Sequence, residues 1–293
     1  MTTITIGVPV YNGEATLERS LESLRTQTYR DIEVIISDNA STDRSADIAQ
    51  GFADRDPRFR VVRRETNVGP VPNFFSLLEM AQTELFMWRA DDDWSNAQYV
   101  EELKAKFDED ARIRLAGPET LIVRRDGSIA GVNSFILPCQ KLRVRRVGHM
   151  LMHLSASSIY GLWHKPTLME ILSRTRANYP YIWAWDHMAM VPVILSESVT
   201  GNNAAKLYVG QPEAARYSAR EPASVMWEMR RSFRKSCFAE LRRLDWPLWE
   251  KLLLTPNLLR YANLRVYRFW KTVRRHIRQF FEITDRKPPT QVG

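Results

Sequence analysis

Residues 85–94 read LFMWRADDDW, so four apolar side chains run into three adjacent carboxylates, Asp91, Asp92 and Asp93. Like charges repel, and the end of a buried strand suits them poorly unless a cation is shared among them. Mg²⁺ and Mn²⁺ take hard oxygen ligands and also bind the oxygens of a diphosphate, so such a cluster can hold a metal and, through it, phosphate. Neighbouring side chains on extended backbone face opposite ways, which gives Asp91 and Asp93 one direction and Asp92 the other. Taken alone, the triplet also suits a solvated turn, and Asp93 suits a cap for a helix expected near 97.

Three more polar stretches follow apolar runs in the same manner: PVYNGE (9–14), SDNAS (37–41) and RRETNVG (63–69). A fifth feature is Asp186, the lone acid of YPYIWAWDHMAM, set among Trp183, Trp185 and His187. Apolar neighbours disfavour a charged carboxylate, raise its pKa and make it a better proton acceptor. Helix capping is the competing use, because HMAMVPVIL follows directly.

The elements that must position these residues are legible in the pattern. TITIGVPV (3–10), IEVIIS (32–37), FRVVR (59–63) and LFMWR (85–89) read as buried strands. Between them Leu17, Leu21 and Leu24, then Ile48, Ala49 and Phe52, then residues 72–81 mark helices. Strand and helix in alternation predict an α/β domain with a mostly parallel central sheet, whose strand C-termini bring the four polar loops to one edge. Beyond residue 95 the pattern predicts a helix over 97–107 and a hairpin turned at Asp126-Gly127. Residues 138–149, with Lys141, Arg143, Arg145 and Arg146, show no period and read as a loop. From about 222 onward the text is helical and rich in Arg and Trp.

At 293 residues, 44% hydrophobic and 26% charged, the composition is that of a globular chain able to bury a sizeable core. No run reaches the roughly 20 apolar residues needed to span a bilayer, and no basic segment precedes the first apolar run, so a cytoplasmic protein is expected. Two cysteines, Cys139 and Cys237, are too few and too distant for a disulfide framework or a CxxC site. Residues 201–293 hold 19 Lys and Arg against 8 Asp and Glu, which leaves the body near neutral and the end basic.

Across residues 1–215 the chain resembles the family 2 glycosyltransferases of GT-A fold. The likeness is carried by GVPVYNGEATLERSLESLRTQTYRDIEVIISDNASTDRS, NVG at 67–69 and ADDDW at 90–94. It implies transfer of a sugar, with inversion, from a nucleotide diphosphate donor, expected to be UDP-linked, to a glycan or lipid-linked acceptor, with Mn²⁺ or Mg²⁺ as cofactor. Residues 1–220 would form the catalytic domain, 1–95 binding nucleotide and 96–220 the acceptor, and 221–293 a basic helical extension. By the same resemblance Pro9, Tyr11 and Glu14 line the base and ribose pocket, Asp38 accepts from the base, and Asn67 and Gly69 close over the nucleoside. Asp92 becomes the principal metal ligand with Asp93 as an alternative, Asp91 lies near the ribose, and Asp186 is the base. Lys165, in IYGLWHKP, falls near the donor phosphates or the acceptor, and Arg216, in ARYSAR, is either a diphosphate contact or a surface charge.

Two departures stand out. Arg89 occupies a place where many relatives carry an acid, and could pair with Asp91 or reach phosphate; Asn39 replaces a frequent Asp. The first keeps open a catalytically impaired scaffold that binds nucleotide sugar or glycan. A sugar nucleotidyltransferase would ordinarily carry a Gly-rich basic loop after the first strand, which PVYNGE is not. In the tail, Val266, Trp270, Val273, Ile277 and Phe281 form an apolar stripe beside Arg268, Lys271, Arg275 and Arg278. This stripe suits peripheral contact with the inner face of a membrane, or packing on the domain or on a second subunit. Nucleic acid is not an expected partner, since the tail has no recognised reading motif.

Overall fold

The computed structural model describes residues 4–136, 138–210, 221–267, 269–270 and 272–274. The first half follows the predicted alternation. It runs β1 (Ile4–Val10), α1 (Leu17–Arg25), β2 (Ile32–Asp38), α2 (Ser45–Ala53), β3 (Phe59–Arg63), α3 (Pro70–Met80) and β4 (Leu85–Trp88). Then come β5 (Trp94–Ser95), α4 (Tyr99–Glu109), β6 (Leu115–Val123) and β7 (Ile129–Asn133). α5 (Arg143–His153), a short 3-10 helix (Ala156–Tyr160), β8 (Leu162–His164), α6 (Lys165–Asn178), α7 (Trp185–Leu195) and β9 (Val199–Gly210) follow. Two long helices, α8 (Ala223–Arg243) and α9 (Leu248–Arg265), come next.

The described strands make one sheet in the order β3-β2-β1-β4-β8-β6-β9-β5, with β7 paired to β6. The long ladders, β1 with β2, β2 with β3, β1 with β4 and β6 with β9, are parallel, while β8 joins the two halves through short antiparallel pairings. β1 is buried along its whole length, as its near-continuous apolar sequence requires of a strand covered on both faces. Ile4, Ile6, Val8 and Val10 meet Leu17, Leu21 and Leu24 of α1, Phe52 of α2 and Leu103 of α4 on one face. Phe86 and Trp88 of β4 meet α3, α6 and α7 on the other. That second core also takes Met226, Phe233 and Cys237 from α8 and Leu254, Leu258 and Tyr261 from α9, so the basic C-terminal helices share the interior of the body.

The expected loop over 138–149 is a helix for most of its length. α5 buries Val147, Met150 and Leu151, a helical spacing that the four basic side chains obscured. Arg146 pairs with Glu197 at 2.6 Å, and Arg143 with Glu250 at 3.2 Å, which places those charges at its edge. The predicted hairpin forms between β6 and β7, with Gly127 at φ +83° in its turn.

Candidate active site

Because β1 through β4 are parallel, their C-terminal loops lie side by side, and hydrogen bonds lock them together. Asn12 N–H donates to Ser41 Oγ at 3.0 Å and Gly13 N–H to Ser45 Oγ at 2.8 Å. In return Thr42 N–H donates to Asn12 Oδ1 at 2.9 Å and Arg44 N–H to Glu14 Oε2 at 3.0 Å. Asn39 ties the second loop to the third, its Nδ2 donating to Asn67 Oδ1 at 2.9 Å and its Oδ1 accepting from Val68 N–H at 3.0 Å. An Asp at position 39 would keep the acceptor and lose that donor. Gly13 meets the fourth loop: a Cβ there would stand 2.3 Å from Asp91 Oδ2, so any larger residue would oblige this carboxylate to move. Asn12, Ala40 and Ala184, three of the four described non-glycine residues with positive φ, sit in the loops of this region. Such conformations cost about 1–3 kcal/mol each and cluster where geometry matters.

The individual residues fall as follows. Tyr11, in the first loop, is exposed, whereas Pro9 is buried within β1. Glu14 is exposed and occupied by the Arg44 backbone, which makes it a latch between loops. Asp38 is wholly buried; Oδ1 accepts from Ser41 N–H, and Oδ2 has no hydrogen bond, with Arg63 Nε 3.5 Å away. An open cleft of about 420 Å³, lined by Ala40, Ser41, Arg63, Arg64 and Glu65, lies beside it. Gly69, at φ +85°, turns the third loop into α3, with Pro70 at the first helical position.

The three aspartates separate. Asp92 is exposed, Asp91 is partly buried against Gly13, and Asp93 is buried. Burial, reinforced by the negative charges of Asp92 and Asp91, pushes Asp93 up to about 7, while Arg89 and the Gly210 N–H oppose the rise. Among the described residues no three His, Cys, Asp or Glu side chains converge to hold a metal ion by themselves. The donor set that remains is one exposed carboxylate with a partly buried neighbour, which suits a hard cation completed by diphosphate oxygens and water. Asp93 does not belong to that set, because it faces the interior.

Arg89 neither pairs with Asp91 nor faces the cleft. It is fully buried, its guanidinium lies 4.8 Å from the centre of the Tyr99 ring, and Asp93 is the opposite charge acting on it. Lys165 also departs from expectation. β8 runs antiparallel to β4, pairing His164 with Leu85, so Lys165 stands at the N-terminal edge of β4 and donates to the Ala81 carbonyl. The four residues of β4, at roughly 3.3 Å each, separate it from the aspartates. Arg216 lies outside the described residues.

Asp186 reaches the same region from the other half of the chain. Trp185 packs edge-on against Trp88, ring centres 5.8 Å apart, and against Phe75 at 5.6 Å, which fixes the start of α7 over the end of β4. Asp186 Oδ1 accepts from His187 N–H at 2.7 Å in the first turn of α7, so it is inside the helix and the residue at the cap position is Ala184. Burial holds the Asp186 carboxyl above its ordinary pKa, against the lowering effects of the His187 N–H and Arg265. His187 is pushed down to about 3 by burial, which leaves Asp186 the stronger proton acceptor of the pair. Tyr160, whose carbonyl accepts from the Tyr99 hydroxyl at 2.9 Å, joins the two groups: after burial, the charges of Asp93, Asp92, Asp186 and Asp91 are what raise its phenol. The Trp185–Trp88 contact is what sets Asp186 beside the end of β4, three residues before the first of the aspartates.

A protein-family model described as glycosyl transferase family 2 matches residues 5–119, which hold the four loops just described. The match takes in less than half of the chain, and within it residues 5–119 resemble glycosyl transferase family 2. The putative glycosyltransferase EpsH of Bacillus subtilis is 37% identical over 121 residues, 41% of this chain and 32% of that relative. The chain therefore spans about a third of the length of that curated relative. Among solved structures, S. aureus TarS 1–349 in complex with UDP aligns with a TM-score of 0.62 at 19% identity, over 88% of this chain and 71% of that one. The mannosyltransferase PcManGT from Pyrobaculum calidifontis in complex with GDP-Man and Mn²⁺ aligns with a TM-score of 0.54 at 16% identity, over 98% and 76%. At these identities the likeness establishes a shared fold, the GT-A type, which reaches past the family segment into α6–α9.

The sequence pointed to the aspartates and loops but missed Ser41, Ser45 and Asn73, which hold the loops in place. Asn73, buried in α3, accepts from Ser37 Oγ at 2.6 Å and donates to the Ser37 carbonyl at 3.0 Å. Its one signal was a polar residue on an apolar helix face. Tyr160 had none, being one more ring in an apolar segment.

Proposed function

We propose that this protein is an inverting glycosyltransferase that moves a sugar from a nucleotide diphosphate donor, UDP-linked, to a glycan or lipid-linked acceptor. The observation that carries this reading is the packing of Trp185 on Trp88, which sets Asp186 at the end of β4, beside the loop that holds the aspartates. The base and ribose would occupy the cleft beside Asp38, with Tyr11 against the base and Asn67 and Gly69 at its rim. Asp38 Oδ2, which has no hydrogen bond and has Arg63 Nε 3.5 Å away, would accept from a base N–H. Asp92 would hold Mn²⁺ or Mg²⁺ together with the diphosphate, and Asp91 would face the ribose. The bound cation would neutralise charge on the departing diphosphate.

The acceptor would enter from the side of Trp185, which lines a cavity of about 460 Å³ with Phe75, Arg176, Tyr179, Tyr181 and Ile182. Aromatic walls suit a sugar ring. Asp186, kept basic by burial, would take the proton of the acceptor hydroxyl as that oxygen attacks the anomeric carbon opposite the leaving diphosphate. UDP and other nucleotides are screened by thermal shift with and without Mn²⁺, followed by turnover of the nucleotide sugar that binds. The reading requires Mn²⁺-dependent stabilisation by UDP and turnover that Asp186→Asn abolishes. Stabilisation without turnover in the parent would identify a binding scaffold.

A further inference from the structure

The outer face of α9 is apolar where solvent should favour polar side chains. Leu248, Trp249, Leu252, Leu253, Leu259 and Leu264 are each between 40% and 71% exposed. With 3.6 residues per turn they fall, together with Pro256 and Arg260, within an arc of about 160°. Leu254, Leu258, Tyr261 and Ala262 point the other way, into the core. Scattered apolar residues on a surface are ordinary; six large ones on one helix face are not.

The charges around this face decide what covers it. Arg260, on the face itself, is exposed, and so is Arg242 at the end of α8, whose carbonyl accepts from Lys251 of α9 at 3.4 Å. Lys141, Arg145 and the 56% exposed Leu142 lie in the segment that Arg143 joins to α9 through Glu250, at 3.2 Å. That bond neutralises Glu250, the one acid of α9, and the exposed Asp245 lies in the turn before the helix. A second copy docked about a two-fold axis would set this basic rim against itself, which is unfavourable. An anionic bilayer surface satisfies both features, taking the leucines and Trp249 into its interface and the arginines among its phosphates.

We propose that α9 docks its outer face in the interface of an anionic membrane. Among the described residues no helix is long and apolar enough to cross a membrane, so α9 lies flat on it. On the inner side of the same helix, Tyr261 donates to the His187 carbonyl at 3.0 Å, one residue from Asp186. The lipid plane and the candidate base are therefore separated by about one helix diameter, ~10–12 Å, plus a tyrosine side chain. Resting on the proposed function, this geometry selects a lipid-linked acceptor whose reacting sugar stays close to the headgroups.

The test is co-sedimentation of the full chain with vesicles of phosphatidylcholine alone and of phosphatidylcholine with phosphatidylglycerol, a readout that needs no turnover and so stands apart from the glycosyltransferase reading. The parent should bind the anionic vesicles. Trp249→Glu/Leu252→Glu should weaken binding at least about tenfold with an unchanged circular dichroism spectrum. Arg145→Gln/Arg242→Gln/Arg260→Gln, which leaves the apolar face intact, should weaken it on the order of a hundredfold. Failure of the parent to bind overturns the proposal. So does a dimer in light scattering that the Glu pair dissociates while vesicles go unbound, which would assign the face to a second copy. Loss of binding in Ile277→Ser/Phe281→Ser with none in the Glu pair would move the membrane site to the tail and also refute it.

Discussion

Replacing Asp186 by Asn exchanges one oxygen for an amide and separates two consequences of burying this carboxylate. The side-chain oxygen that accepts from His187 N–H at 2.7 Å survives, so the start of α7 keeps its geometry while the base is lost. General-base assistance contributes about 10²–10⁴-fold, so kcat should fall by that factor, or about 2.7–5.4 kcal/mol on the barrier, with donor KM unchanged. Stability should move the opposite way. Burial raises the carboxyl in the folded state, so in acid, below the pKa of the unfolded chain, the group is protonated in both states and costs nothing. As pH rises through the folded pKa, the unfolded state ionises more readily and the parent loses stability that the Asn variant keeps. Thermal melts at a series of pH values should show the variant melting above the parent near pH ~8, with the gap closing toward pH ~4. Steady-state kinetics on the same preparations completes the assay. A kcat within about threefold of the parent would refute the base assignment, and a variant that melts below the parent at the alkaline end would refute the burial argument.

Other perturbations test the neighbouring residues. Asp92→Asn should weaken Mn²⁺-dependent binding of UDP at least about tenfold by calorimetry, the loss of a charged ligand. Asp93→Asn should leave that affinity within a few-fold, because the side chain is buried; raised to about 7 in the folded state, Asp93 should also make its Asn variant gain relative stability as pH rises from ~4 through 7. Equal losses for the two variants would show that both ligate. Gly13→Ala directs a Cβ to 2.3 Å from Asp91 Oδ2, the movable end of a side chain, so denaturant melts should change by less than about 1 kcal/mol while donor affinity drops. In Gly161→Ala the Cβ meets the Ala116 carbonyl oxygen at 2.2 Å, backbone that cannot step aside, and a loss of about 1–3 kcal/mol or more is expected in the same melts.

What the sequence determined by itself is local and periodic. The apolar runs of β1–β4, the leucine spacing of α1 and the turn at Gly127 follow from burial and backbone preference over a few residues, and the structure places each where the pattern predicts. Order along the chain was also enough to bring Tyr11, Asp38, Asn67 and Asp91 to one edge, since parallel strands put their C-terminal loops together. Family resemblance supplied the meaning of those loops, and it failed at Lys165, because a three-residue strand running antiparallel to its neighbour carries no periodic signal and sends that lysine to the wrong edge. Only the tertiary structure decided which way each of three adjacent aspartates faces, that Arg89 is an interior cation over Tyr99, and that Trp185 carries Asp186 across to β4. The same holds for α9, whose leucines read alike in sequence until packing against α5 and α8 buries one face and leaves the other in water. Which side of a helix or loop is covered depends on what folds against it from far along the chain, and no short window of residues contains that information.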